Sequence, residues 1–90
     1  MFEWDEEKSR RNRRERGLGF DVGARLFLSP FVEWVDYRRD YGEIRMIVVG
    51  VVEGRVLTAV YTWRDGRRRI ISLRAANRME RDAYRQKIGG

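Results

Sequence analysis

The chain of 90 residues is read as a single domain, 1–90, with a small core, because a domain of this size buries only roughly two-thirds of its unfolded surface. It has no Cys and no His, which excludes a disulfide framework and a Cys/His zinc site and removes the commonest general base. The net charge is +6, and all but two of the 20 basic residues, Lys8 and Lys87, are arginine.

The arginine guanidinium is a planar fork that matches phosphate oxygens two at a time, so the excess points to a polyanion, most simply a nucleic acid. A genome composition that favours arginine codons gives the same total, so clustering has to decide. The longest apolar run, Met46 to Val52, is far shorter than the roughly 20 residues that span a bilayer. The acidic-then-basic start has no secretion-signal core, so a soluble cytoplasmic protein with no membrane partner is expected.

Phe2-Glu3-Trp4 reads as a short edge strand. Asp5 is placed to cap a helix that runs to Arg16 and stops at Gly17, with Glu6 and Glu7 in the first turn, where the helix dipole favours acids. That helix has no apolar residue, so no apolar stripe packs it; it is solvated or docks on something charged. Its one organised row is Trp4, Lys8, Asn12 and Arg16. Phe20, Ala24, Phe27 and Leu28 give a second, short helix an apolar stripe that ends at Ser29-Pro30. Phe31 to Tyr37 alternates like a strand, and Arg38 to Gly42 is a polar loop.

A three-strand meander follows: Glu43 to Val52, Arg55 to Arg64 and Arg67 to Arg74, turning at Glu53-Gly54 and Asp65-Gly66. Two-residue loops place Val52 opposite Arg55 and Arg64 opposite Arg67. One face then holds Ile47, Val49, Val51, Val56, Thr58, Val60, Ile71 and Leu73, ending in a row of Arg45, Thr62 and Arg69. The other holds Ile44, Met46, Val48, Leu57, Ala59, Tyr61, Trp63 and Ile70, with Arg68, Ser72 and Arg74. The first face is the better core by composition, and a single bulge would break this register. The last helix runs from about Arg78 to Lys87 with an apolar stripe of Ala76, Met79 and Ala83, beside a row of Glu80 and Tyr84.

Phe2-Glu3-Trp4-Asp5-x-x-Lys8-x-x-x-Asn12 and Gly17-x-x-Phe20 open the chain. Gly42-Glu43-x-Arg45, Gly50, Val60-Tyr61-Thr62 and Arg69-x-Ile71-Ser72-x-Arg74-x-Ala76-x-x-x-Glu80-Arg81-x-x-Tyr84 follow. In order and spacing this resembles the BrnT ribonuclease toxins of bacterial type II toxin–antitoxin systems. The resemblance implies an α+β, RelE-like fold: an antiparallel meander of about four strands with two N-terminal helices and one C-terminal helix. It implies an endoribonuclease that cuts RNA and arrests growth. It also implies a BrnA-type antitoxin as partner, through which alone operator DNA is reached. The family ordinarily has a His immediately before the Gly that follows the first helix; Arg16 stands there in this chain. Arginine stays protonated near neutral pH and cannot serve as a base.

A ribonuclease working without metal or cofactor must hold the scissile phosphate, activate the ribose 2′-hydroxyl and stabilise extra negative charge. Arg74, placed opposite Leu57 beside Ser72, is the first candidate for that stabilisation, followed by Arg69 and Arg45. Their structural alternatives are a solvated strand end and ion pairs at the sheet end. Glu80 is a candidate base, but Asn77 and Glu80 also have capping-box spacing. Arg16, Lys8, Arg68, Ser72 and Tyr84 are the candidate RNA contacts. The cluster Lys8, Arg10, Arg11, Arg13, Arg14 and Arg16 is read as gripping phosphates, docking an acidic antitoxin segment, or simply as a solvated face. Tyr61 and Trp63 are read as core packing. Two readings stay open: a cleaving toxin, and a relative that binds antitoxin or RNA without cutting. A small basic DNA- or ribosome-associated protein is a third, weaker one.

Overall fold

A computed structural model describes residues 1–89. Strand β1 (Phe2–Trp4) leads into helix α1 (Glu6–Arg16); helix α2 (Phe20–Arg25) follows and tightens into a 3-10 turn, Leu26–Leu28. Strands β2 (Val32–Val35), β3 (Met46–Val52), β4 (Arg55–Arg64) and β5 (Arg67–Ala75) precede helix α3 (Arg78–Ile88). The sheet has five strands in the order β1-β5-β4-β3-β2 rather than about four; β1, the edge strand expected at Phe2-Glu3-Trp4, pairs parallel to β5, while the other pairs are antiparallel. The α+β class and the placing of the helices are as expected.

Both hairpins turn in two residues, with Val52 opposite Arg55 and Arg64 opposite Arg67. Glu53 and Asp65 each take φ of 51°, the left-handed pair geometry that matches strand twist. The β4–β5 register then shifts. Tyr61 faces Ile70, but Val60 faces Ser72, so Ile71 is the extra residue of a β-bulge. Beyond it every side chain changes face. Leu73 lies opposite Ala59 and Arg74 opposite Thr58, not Leu57. The expected faces are therefore corrected for Ser72, Leu73 and Arg74. Ile70 and Ile71 are both apolar, so the hydrophobic pattern carries no mark of the slip.

The larger core is also not the face chosen by composition. Val48, Leu57, Ala59, Tyr61, Ile70 and Leu73 pack with Leu18, Phe20 and Leu26 beneath the N-terminal helices. Gly50 lets them approach: a Cβ there would lie 3.1 Å from Leu26 Cδ2. Within this segment the buried residues are Phe20, Gly23 and Leu26, whereas Leu28 is exposed, because the 3-10 turn rotates it off the predicted stripe. On the opposite face, Ile47, Val49, Val60 and Ala76 pack with Val32, Trp34 and Ile71 and with Tyr84 of α3. Here Tyr84 packs and Met79 is exposed, the reverse of the predicted stripe.

Between β2 and β3 the loop is closed by Asp36, a buried carboxylate. It accepts hydrogen bonds from the Arg38 backbone N–H, Arg38 Nε and Nη2, and the Tyr41 hydroxyl. No helix among the described residues is long and apolar enough to cross a membrane.

Candidate functional site

Helix α1 forms from local signals. The Asp5 side chain accepts from the Glu7 and Lys8 backbone N–H groups, acids fill the first turn, bases fill the last, and Gly17 caps the end with φ of 74°. An all-polar helix has no apolar stripe to dock with, and hydrogen bonds anchor it instead. Ser9, buried, accepts from the Phe20 backbone N–H at 2.8 Å. Asn12 Nδ2 donates to the Leu18 carbonyl at 2.6 Å and to the Leu73 carbonyl at 3.0 Å. The second bond matters for the site. Strand β1 pairs with β5 only as far as Ile70, so beyond the bulge β5 has no strand neighbour on that side. Asn12 fixes α1 along this open stretch.

Between helix and strand lies a cleft of about 350 Å³. Lys8, Arg11, Asn12, Glu15 and Arg16 line it from α1, and Ile71 to Arg74 line it from β5. Four cationic side chains thus share the cleft with one carboxylate. Lys8, Arg11 and Arg16 have no ion-pair partner among the described residues. Unpaired like charges repel one another, and an anion bound between them relieves that repulsion.

The fourth cation is different. Arg74 Nη1 and Nη2 donate to Glu80 Oε1 and Oε2 at 2.7 and 2.8 Å. Glu80 is buried, and its Oε1 also accepts from the Thr58 hydroxyl at 2.9 Å and the Asn77 backbone N–H at 2.9 Å. The capping box is present, so one carboxylate both caps α3 and clamps Arg74. Burial pushes the Glu80 carboxyl up, but the Arg74, Asn77 and Thr58 hydrogen bonds together outweigh it and hold it below the usual glutamate range. The bond to Glu80 raises Arg74 further above the ordinary guanidinium value, against the opposing effect of burial. Glu80 is thus an ionised, saturated anchor and is poorly suited to take a proton from substrate. The bulge is what makes this clamp: without it Arg74 would point to the other face.

Of the residues predicted from sequence, Lys8, Arg16, Ser72 and Arg74 meet in the cleft, with Glu80 behind Arg74. The others lie elsewhere. Arg69 is paired with Glu3 at 3.0 Å, tying β5 to β1. Arg45 is paired with Glu43 at 2.9 Å and lies over the Tyr41 ring at 4.1 Å. Arg68 stacks against Phe27, Trp63 and Tyr61, at 4.3, 4.6 and 5.3 Å. Tyr84, on α3, packs against the sheet. Tyr61 is buried as expected, while Trp63 is 55% exposed on the outer side of the Arg68 stack. The basic cluster of α1 is divided: Arg13 turns to Asp21 at 3.6 Å, and Arg10 and Arg14 do not line the cleft. Asn12 as the anchor and Glu15 as a lining carboxylate had one sequence signal, their spacing: Asn12 stands four residues from both Lys8 and Arg16, and Glu15 four from Arg11. Among the described residues, no three or more His, Cys, Asp or Glu side chains are gathered where they could hold a metal ion.

Among curated proteins no sequence matches the chain. A family model does: residues 4–80 match the ribonuclease toxin, BrnT, of type II toxin–antitoxin systems. The match takes in the end of β1, all of α1, strands β2 to β5 and the Glu80 clamp. The chain belongs to the BrnT family of ribonuclease toxins.

Proposed function

We propose that this single-domain protein is a metal-independent endoribonuclease acting in the cytoplasm, and that the cleft between α1 and β5 holds the RNA backbone. The observation that carries this is the set of unpaired cations, Lys8, Arg11 and Arg16, beside the open stretch of β5. Lys8 and Arg11 bind phosphates, Ser72 adds a hydroxyl donor, and Arg16 and Arg74 stabilise charge that builds on the phosphoryl oxygens. The Glu80 clamp holds Arg74 in place, which spares reorganisation when that charge develops. The ribose 2′-oxygen attacks the adjacent phosphorus and the 5′-oxygen leaves. Arg69 and Arg45 serve the sheet by their ion pairs. A BrnA-type antitoxin neutralises the toxin by binding it and links it to operator DNA.

Purified protein incubated with RNA in a chelator tests this reading. Fragments ending in 2′,3′-cyclic phosphate are expected, and intact RNA at every protein concentration would overturn it. One observation favours a second reading, binding without cutting: Arg16 lines the cleft at the position where the family resemblance places a His. Under that reading Arg16→His gains cleavage that the unmodified chain lacks.

A further inference from the structure

The cleft accounts for phosphate binding and for charge stabilisation, but those roles leave the 2′-hydroxyl proton without an acceptor. The chain has no His. Glu80 is saturated by the Arg74, Thr58 and Asn77 donors. Glu3, Glu43 and Asp36 are committed to Arg69, Arg45 and Arg38, and Glu33 accepts from the Tyr61 hydroxyl. Tyr84 packs from α3 onto the sheet. The acidic side chain that lines the cleft itself is Glu15, which is exposed on α1 and makes no ion pair among the described residues. The charged groups that share the cleft with it are Lys8, Arg11 and Arg16 on its own helix and Arg74 on β5, all cationic. That surrounding holds a phosphate close to the carboxylate.

We propose that Glu15 is the general base of the cleft, an inference that rests on the ribonuclease reading above. A Glu15 carboxylate oxygen takes the 2′-hydroxyl proton. The 2′-oxygen forms a bond to phosphorus, the bond from phosphorus to the 5′-oxygen breaks, and that oxygen takes a proton from water. The products are a 2′,3′-cyclic phosphate and a 5′-hydroxyl, and Glu15 afterwards returns its proton to solvent. Position fits the role: Glu15 lies one residue from Arg16 and one helical turn from Arg11, so base and phosphate ligands sit on one rigid helix.

The test compares wild type, Glu15→Gln and a control, Glu7→Gln, which alters an exposed acid of α1 outside the cleft. The substrate is a short fluorophore-labelled RNA, with kcat and KM measured across pH and folding checked by circular dichroism. Glu15→Gln is expected to lower kcat by about 100-fold or more. Its KM should stay within about twofold, and the acid limb of the kcat profile should disappear. Glu7→Gln should match wild type. If wild type cuts and Glu15→Gln cuts equally well, or loses only KM, the role of Glu15 is overturned and the ribonuclease reading stands. If wild type leaves the RNA intact, both fall together.

Discussion

Arginine is used in two opposite ways within one small sheet. On the α3 side, Arg74 is half-buried and gripped at two points by a buried carboxylate that also caps a helix and takes a threonine hydroxyl. On the α1 side, Arg11 and Arg16 stand in a cleft with no carboxylate bonded to them. Both groups of residues meet along β5. The first arrangement satisfies its charges internally and holds the fold together. The second leaves its charge unpaired within the protein, open to water or to a bound anion. Under the proposed function, pairing more than charge count separates scaffold from site, and Arg69 and Arg45 are assigned to the scaffold.

Breaking the clamp should have the largest effect. Glu80→Ala leaves the Arg74 guanidinium, the Thr58 hydroxyl and the Asn77 N–H without their common acceptor. A loss of about 3–5 kcal/mol is expected, read as a fall of more than about 10 °C in the thermal midpoint. Neutralising the cleft should do the reverse, sparing stability and weakening binding. The Lys8→Gln, Arg11→Gln, Arg16→Gln triple variant is expected to stay within about 1 kcal/mol of wild type in stability. Its RNA affinity should drop by about tenfold or more, and its salt slope should shallow by about two. Filter binding at several salt concentrations reads both.

Acid should distinguish the two regions as well. Glu80 and Asp36 are both held below the usual carboxylate range: Glu80 by donors that outweigh its burial, Asp36 chiefly by the Arg38 hydrogen bond. A carboxyl depressed on folding contributes stability that is fully present above its unfolded value, about 4. That stability is lost as pH falls towards and through the lower folded value. Urea unfolding should therefore weaken from about pH 4 downward, and Glu80→Gln should flatten that decline. A decline of the same steepness in Glu80→Gln would remove Glu80 from the account. The smallest change is expected for Arg45→Ala. Its partner Glu43 is partly exposed, so less than about 1 kcal/mol should be lost, with RNA affinity unchanged.

Much of this was readable along the chain where local chemistry decides. Asp5 and Gly17 bound α1, Asn77 and Glu80 start α3, and the two Gly-containing turns set the hairpins, because caps and positive-φ turns need particular residues in particular places. The bulge was not readable, since two consecutive isoleucines hide a one-residue slip. That slip moved Leu73 into the larger core and turned Arg74 towards Glu80. For the cleft, the row Lys8, Asn12, Arg16 was visible as spacing, but an all-polar helix gives no sign of which side faces the sheet. Only the long-range bond from Asn12 to the Leu73 carbonyl settles that, and with it which arginines of α1 face β5.

If RNA lies in the cleft, the unpaired cations of α1, and not the paired arginines of the sheet, meet it. The most direct measurement is the salt dependence of RNA binding for wild type, the Lys8, Arg11, Arg16 triple glutamine variant and an Arg45→Ala, Arg69→Ala variant, each shown to be folded. A shallower slope and weaker binding are expected for the triple variant alone. Wild-type binding in the triple variant, with a loss in the Arg45 and Arg69 variant, would contradict this.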